Sequence, residues 1–168
     1  MGVGEHKKKS VKNLNIAVIS ASNTRKEPAE DKSGLWIKKQ AGKEGHEVVV
    51  HHTVADDTNA IRDMVTQVIQ RIGPDIILMS GGTGIAKKDV TIEAVQPLFD
   101  KTLTAFSTLF TQLSFDEIDS AALLSRAAAG IIDSTVVFCM PGSLNACKLA
   151  CTQLIFPELG HLVKHIRE

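Results

Sequence analysis

The chain has 168 residues, and its 19 lysines and arginines are balanced by 19 aspartates and glutamates, so its formal net charge is zero. This length and a hydrophobic content of 43% suit one soluble domain with its own core. Zero net charge and only 4% aromatic residues argue against nucleic-acid binding, which needs a basic surface and rings for stacking. No apolar run reaches the roughly 18 residues of a membrane span, and we expect a cytoplasmic protein.

Strands and helices are predicted to alternate through the first half of the chain. Three near-continuous apolar runs are typical of strands covered on both faces. In chain order, the predicted elements are a strand over residues 14–20, a helix over 33–44, a strand over 46–54, a helix over 58–72 and a strand over 75–80. This alternation predicts an α/β fold with a mostly parallel sheet, whose strands end at one edge.

The second of these helices has clear start and stop signals. Thr58 is suited to cap its first turn, and Gly73-Pro74 ends it. One apolar stripe, with spacings of three and four, is formed by Ile61, Val65, Val68 and Ile72. We therefore expect this helix to pack one face against the sheet.

The second half of the chain is predicted to hold more helix than strand. Helices are expected over residues 92–99, 103–113, 120–129 and 144–156, with a last helix from Pro157. Two short strands, over 130–132 and 135–139, are separated by a tight turn at Asp133-Ser134. Residues 1–12 are expected to form a flexible basic tail, and residues 13–168 a single domain without an interior linker.

The strongest local signal is the glycine-rich loop at residues 81–84 (GGTG), directly after the third strand. A structural turn needs one glycine, whereas three in four positions let backbone N–H groups approach an anion. The NTPase phosphate loop does not fit, because Ala86 rather than glycine precedes Lys87. The dinucleotide fingerprint also fails, because Lys87 stands where its third glycine is required.

Acidic residues follow the second and third strands. Asp89 lies close to the glycine-rich loop, and a carboxylate beside a phosphate suggests a divalent cation between them, with Mg²⁺ the natural choice. Capping of the next helix is the other role for Asp89, and both roles are compatible. Asp56 and Asp57 would approach Asp89 if the second and third strands are neighbours, although an Asp-Asp-Thr sequence is commonly a helix cap.

Residues 141–143 (PGS) form a second loop whose N–H groups, at a helix start, can hold an anion. Capping is nevertheless the favoured role for Ser143. Ser125 and Arg126 are placed inside a predicted helix, where Arg126 either pairs with a phosphate or carboxylate or lies on the surface.

The remaining reactive side chains carry weaker signals. The odd count of three cysteines does not indicate a disulfide framework, and Cys147 and Cys151 are expected to pack as small hydrophobic residues. Cys139 lies in a predicted buried strand, so it is a poor nucleophile. His161 and His165 have a spacing that suits zinc, but no third ligand is apparent.

With these motifs in order, the chain resembles the MoaB/MogA family of molybdenum-cofactor biosynthesis proteins, in its MoaB branch. The resemblance spans nearly everything after the basic tail, and GGTG followed by DVT at this spacing is its most specific part. The matching stretches are residues 31–34 (DKSG), 45–49 (GHEVV), 56–57 (DD), 81–91 (GGTGIAKKDVT), 124–130 (LSRAAAG), 141–143 (PGS) and 157–161 (PELGH).

The resemblance implies a three-layer α/β sandwich of the molybdopterin-binding-domain type, assembled as a homotrimer or homohexamer. It implies a molybdopterin adenylyltransferase, which uses Mg²⁺ and ATP to transfer AMP to the terminal phosphate of molybdopterin and releases pyrophosphate. A further partner protein would insert molybdenum. The family's two essential acids, which are catalytic and hold the metal, fall on Asp56 and Asp89. Its substrate-binding positions fall on Gly81, Gly82, Thr83, Gly84, Ser125, Pro141, Gly142 and Ser143.

The chain departs from the family pattern at two positions. Leu144 replaces the second proline of the PGxP loop, and Asn23 stands where many relatives have aspartate. Some members of this branch bind ligand without transferase activity, so the alternative is a non-catalytic protein that binds molybdopterin or a nucleotide. The acids at positions 56 and 89 favour an active enzyme.

Overall fold

A six-stranded mixed sheet runs through the centre of the computed structural model, which describes residues 11–168. The spatial order is β2-β1-β3-β6-β5-β4, and the first four strands are parallel, whereas β5 pairs antiparallel with both of its neighbours. The mostly parallel sheet is thereby confirmed. The strands are β1 (Asn15–Ala21), β2 (Glu47–Val54), β3 (Ile76–Ser80), β4 (Lys101–Thr102), β5 (Ala128–Ile132) and β6 (Thr135–Met140).

Helices cover both faces of this sheet. They are α1 (Lys32–Lys43), α2 (Thr58–Ile72), α3 (Thr91–Val95), α4 (Thr104–Ile118), α5 (Leu144–Ala150) and α6 (Phe156–Arg167). Alternate residues of β1 enter different cores, since Ile16 and Val18 pack with α1 and the C-terminal helices, whereas Ala17 and Ile19 pack with α2 and α3. Two cores separated by one sheet confirm the predicted three-layer sandwich.

The α2 boundaries are close to those predicted, but one local assignment was wrong. The N-cap is Asp57, whose side chain accepts from Ala60 N, and Thr58 is the first helical residue. Gly73 ends the helix in the left-handed conformation (φ 59°). Ile72 is exposed, unlike the rest of the predicted stripe, because it lies at the end of the helix beside this cap.

Residues 120–129 do not form the predicted helix. A 3₁₀ helix spans Asp119–Leu124, after which the chain extends into β5, so Ser125 and Arg126 lie in a connection. Alanine-rich sequence favours helix locally, but pairing of β5 with both β6 and the unpredicted short strand β4 overrides that preference. The predicted turn at Asp133-Ser134 is confirmed, with Asp133 at φ 52°.

The C-terminal helices are continuous rather than separated at Pro157. A π-helical turn, Cys151–Ile155, joins α5 to α6, and Pro157 occupies the first turn of α6, where its missing N–H costs nothing. Of the predicted basic tail the structure describes only Val11 and Lys12; Val11 N donates to Gly160 O, and the other ten residues lie outside the described part. Within residues 11–168, no helix has both the length and the apolarity that crossing a membrane requires.

Candidate active site

Three parallel strands end at the same level and leave a cavity between the loops that follow them. The register pairs Ser20 of β1 with Ser80 of β3, and Ser80 with Met140 of β6. The loops after β1, β2, β3 and β6 enclose a cavity of about 380 Å³. The predicted site residues on its wall are Asp56, Gly81, Gly82, Thr83, Gly84, Asp89, Pro141 and Gly142. Ligands of open α/β sheets bind at this edge.

The glycine-rich loop requires glycine at positions 81 and 82. Gly81 and Gly82 have positive φ angles of 89° and 64°, and a methyl group on Gly81 would collide with the Ala21 carbonyl. A methyl group on Gly84 would lie 2.6 Å from the Asp89 carboxylate. The conformation is fixed further by Thr91, which donates from N to Gly82 O (2.9 Å) and from Oγ1 to Gly81 O (2.8 Å).

Not every amide of this loop is available to an anion. Gly81 N donates to Met140 O at 3.1 Å, which joins the loop to the end of β6. The amides of Gly82, Thr83 and Gly84 have no acceptor among the described residues. Thr83 Oγ1 is likewise buried without a partner in the described part of the chain. A buried polar group is normally satisfied, so the Thr83 hydroxyl suits a ligand oxygen, and the three amides offer further donors to the same ligand.

Asp56 lies on the cavity wall, although the second and third strands are not adjacent as the sequence-based prediction required. β2 and β3 are not neighbours, because β1 lies between them. The loop after β2 instead binds the loop after β1: Asn23 N donates to Asp56 Oδ2 (3.0 Å), and Asp56 N donates to Asn23 Oδ1 (2.9 Å). Asp56 Oδ1 remains beside Gly82. Asn23, one of the two departures from the family pattern, therefore positions Asp56.

Asp89 does not cap α3, so the capping alternative was wrong. The N-cap position is Val90, and α3 has no side-chain cap. The Asp89 carboxylate accepts from Ala86 N through Oδ2 (2.9 Å) and lies against Gly84. This turn brings the side chain to the cavity wall, together with Asp56 and Lys88.

The donor set on this wall suits Mg²⁺ more than zinc. Asp56 and Asp89 each retain one carboxylate oxygen that accepts no hydrogen bond from the described residues. Mg²⁺ is typically held by one or two carboxylates plus substrate phosphates and water. No cluster of three or more His, Cys, Asp or Glu side chains suited to a metal occurs within residues 11–168. His161 and His165 instead contact each other, with Nε2 atoms 2.9 Å apart.

The second loop contributes its first two predicted residues to the cavity. Gly142 packs so closely that a methyl group there would lie 3.0 Å from Gly81 Cα. Its carbonyl accepts from Ser33 Oγ at 3.0 Å. Ser143 lies off the cavity wall and caps α5 by accepting from Ala146 N, which confirms the capping prediction.

Ser125 lies in another cavity, of about 410 Å³, bordered by α4 and β5. Arg126, whose role the sequence left open, lines this second cavity and binds the glycine-rich loop. Its Nε donates to Thr83 O (3.0 Å) and Gly84 O (3.1 Å), and its Nη1 binds Glu93 at 2.5 Å. The hydrogen bond from Arg126 holds the pKa of Glu93 below its usual value. Arg126 therefore braces the glycine-rich loop from outside.

A buried carboxylate lies below the cavity, and sequence reasoning gave it no role. Asp31, at the N-cap of α1, is fully buried and accepts hydrogen bonds from Ser20 Oγ, Gly34 N (3.0 Å) and His51 Nε2 (2.9 Å). Burial tends to raise the pKa of Asp31, but the hydrogen bonds from His51, Ser20 and Gly34 outweigh it and lower the pKa to about 2. Arg25 Nη1 also approaches Asp31, at 3.4 Å.

The three cysteines are free and buried, as predicted. Burial raises the pKa of Cys139 and of Cys147 to about 12, and it raises that of Cys151 as well. Thiols with such pKa values are not nucleophiles at neutral pH. They act as small apolar side chains in the two cores.

Comparison with known proteins identifies the family of the chain. A family model described as "Probable molybdopterin binding domain" matches residues 17–161. Molybdenum cofactor biosynthesis protein B of Bacillus cereus is 44% identical over 163 residues, which cover 96% of each chain. Molybdopterin adenylyltransferase of Pyrococcus furiosus is 41% identical over 173 residues, which cover both chains completely.

Solved structures give the same result. A crystal structure of a molybdenum cofactor biosynthesis protein B is 41% identical, with a TM-score of 0.89, and the match covers 93% of this chain and 97% of that chain. The tungsten cofactor synthesizing protein MoaB from Pyrococcus furiosus is 38% identical, with a TM-score of 0.84, covering 95% of this chain and 100% of that one. The chain therefore belongs to the molybdopterin-binding domain family of molybdenum cofactor biosynthesis proteins.

Proposed function

We propose that this protein is a molybdopterin adenylyltransferase that acts in molybdenum cofactor biosynthesis. The observation that carries the proposal is that Asp56, Asp89, the glycine-rich loop and Gly142 share one cavity at the carboxyl edge of the sheet. The full-length similarity to the molybdopterin adenylyltransferase of Pyrococcus furiosus supports it.

In this reaction a terminal phosphate oxygen of molybdopterin forms a bond to the α-phosphorus of ATP. The bond between that phosphorus and the α–β bridging oxygen breaks, and pyrophosphate leaves with the electron pair. Because both reactants are anionic, catalysis depends on positioning and charge neutralisation rather than on a protein nucleophile. The inert cysteines are consistent with that requirement.

Several groups on the cavity wall have a role in this scheme. Asp56 and Asp89 would hold Mg²⁺, which supplies charge neutralisation at the ATP phosphates when bound. The free amides at residues 82–84 and the Thr83 hydroxyl would bind phosphate oxygens, and Lys88 adds a positive charge. The pterin would occupy the cavity beside Ser125, which is lined by Arg126, a residue that also binds the glycine-rich loop.

The test is release of pyrophosphate from ATP and molybdopterin in the presence of Mg²⁺. Asp89→Asn keeps the acceptor for Ala86 N but removes the charge, and we expect the rate to fall by at least about a hundredfold. Asp63→Asn is the matched control, because Asp63 is exposed on α2 and away from the cavity. A rate for Asp89→Asn within a few-fold of wild type contradicts the proposal. Tight binding of both substrates by wild type without pyrophosphate release would establish the non-catalytic binding protein instead.

The protein is also proposed to be a cytoplasmic homotrimer or homohexamer that passes its product to a molybdenum-insertion protein. Three buried free thiols are typical of a reducing compartment.

The proposed assembly is supported by the surface of the chain. Exposed apolar side chains are concentrated at the end of α4 and in the next 3₁₀ helix, and such surfaces commonly mediate protein contacts. They are Phe115, Ile118, Leu123 and Leu124. Light scattering after size exclusion should give three or six times the 18.1 kDa chain mass; a monomer at micromolar concentration contradicts this.

A further inference from the structure

The loop after β1 brings a second arginine, Arg25, to the candidate active site. Its side chain lines the cavity and is 28% exposed. A methyl group on Gly142 would lie 3.5 Å from Arg25 Nη2 and 3.0 Å from Gly81 Cα. The guanidinium therefore lies where the glycine-rich loop and the second loop approach each other most closely.

Asp31 contacts the Nη1 end of this guanidinium. Arg25 Nη1 lies 3.4 Å from Asp31 Oδ1, a longer contact than those of Gly34 N and His51 Nε2 with the same carboxylate. Since Ser20 also donates to Asp31, the buried charge is already satisfied by three shorter hydrogen bonds. Neutralising Asp31 is thus not sufficient to explain the position of Arg25.

The Asp31 network is also attached to both loops of the cavity. Ser20 Oγ lies 3.0 Å from Ser80 Oγ, one residue before Gly81. In the first turn of α1, Ser33 Oγ donates to Gly142 O at 3.0 Å. Asp31 and its neighbours therefore connect Arg25 to both loops through hydrogen bonds.

Arg25 retains most of its hydrogen-bonding capacity for a ligand. A guanidinium has five N–H donors in a planar fork, and within the described residues this one makes a single side-chain hydrogen bond. The other charged side chains on the cavity wall, within the described residues, are one cation, Lys88, and two carboxylates, Asp56 and Asp89. A fixed arginine fork between two backbone loops suits a phosphate group.

We infer that Arg25 binds a substrate phosphate at the junction of the two loops, and that Asp31 is the positioning residue that orients its guanidinium. This inference rests on the proposed function for the identity of the substrate. The phosphate-binding role itself can be measured without the transfer reaction.

The experiment is calorimetric titration of the full chain with inorganic pyrophosphate and Mg²⁺. We expect Arg25→Ala to weaken binding by about ten- to a hundredfold, and Arg25→Lys by less, because lysine keeps the charge but not the fork. Arg71→Ala is the matched control, since Arg71 is exposed at the end of α2, and it should leave the dissociation constant unchanged. Wild-type affinity in Arg25→Ala, or no binding by wild type, overturns the inference.

Asp31→Asn tests the positioning role through a double-mutant cycle. It should weaken pyrophosphate binding in the wild-type background but add little once Arg25 is alanine, because Asp31 is inferred to act on the ligand through Arg25. An equal loss in both backgrounds overturns the positioning role. If Asp31→Asn does not fold by circular dichroism, the ranking of Arg25→Ala, Arg25→Lys and wild type still decides the role of Arg25. Arg25-dependent binding without pyrophosphate release from ATP would refute the proposed function while leaving this inference intact.

Discussion

Two arginine–carboxylate pairs flank the glycine-rich loop, and they differ in depth and in what the arginine does. Asp31 is fully buried beneath the cavity, and Arg25 above it keeps donors free. Arg126 instead donates its hydrogen bonds to carbonyls of the loop, and its partner Glu93 is half exposed. The buried pair therefore leaves a cation on the cavity wall, whereas the exposed pair maintains the shape of the loop. Their energies should differ accordingly, since buried pairs are costly to break and exposed pairs contribute little.

The largest effect is expected for Asp31→Ala. Removing the carboxylate leaves Arg25 and His51 without their acceptor and removes the cap of α1. We expect a loss of about 3–5 kcal/mol in the free energy of unfolding, measured with urea and circular dichroism. Asp63→Ala on the surface of α2 serves as the control. A loss below about 1 kcal/mol would show that the buried pair is not structurally important.

The second-largest effect is expected at acid pH, where the Asp31 network should contribute less to the free energy of unfolding. The pKa of Asp31 is about 2 in the folded protein against 3.8 ordinarily, so its stabilisation is complete above pH 4–5 and is lost as pH falls through 2. The stability difference between wild type and Asp31→Asn should narrow by about 2 kcal/mol between pH 5 and pH 2. Urea titrations of both proteins across this range measure it. A difference that is constant with pH would contradict the depressed pKa.

Arg126→Ala is expected to have an intermediate effect on stability. The loop loses hydrogen bonds to the carbonyls of Thr83 and Gly84, which costs about 1–2 kcal/mol. Because the loop is then less well fixed, we also expect slower pyrophosphate release, by about tenfold. Arg71→Ala is the control for both readouts. Unchanged activity would mean that the loop holds its shape without this arginine.

Glu93→Gln should have the smallest effect. The Arg126–Glu93 pair is exposed to solvent and screened, so its loss should cost less than about 1 kcal/mol. The effect should shrink further in 0.5 M salt, which thermal unfolding at two ionic strengths can measure. A cost as large as that of Asp31→Ala would remove the distinction between the two pairs.

Much of the fold was predictable because its signals are local. The first three strands are continuous apolar runs, and glycines end α2 and allow the turns at positions 81 and 82. The helix predicted over residues 120–129 does not form. The chain makes a 3₁₀ helix over Asp119–Leu124, and Ala128 and Ala129 join β5, where pairing with β6 outweighs the local preference of alanine for helix. The order β2-β1-β3 was not predicted, since adjacency in a sheet is set by packing rather than by adjacency in the chain.

The sequence by itself determined the α/β class, the glycine-rich loop and the two acids at positions 56 and 89, because apolar runs, turn residues and carboxylates are properties of short segments. Only the tertiary structure decided how those parts meet. Asn23 N binds the Asp56 carboxylate and positions it at the cavity. Arg126 donates to the carbonyl of Gly84, 42 residues away in the chain, and Asp31 accepts from Arg25. These contacts join segments far apart in the chain, and they exist because parallel strands in register bring their loops to one edge of the sheet.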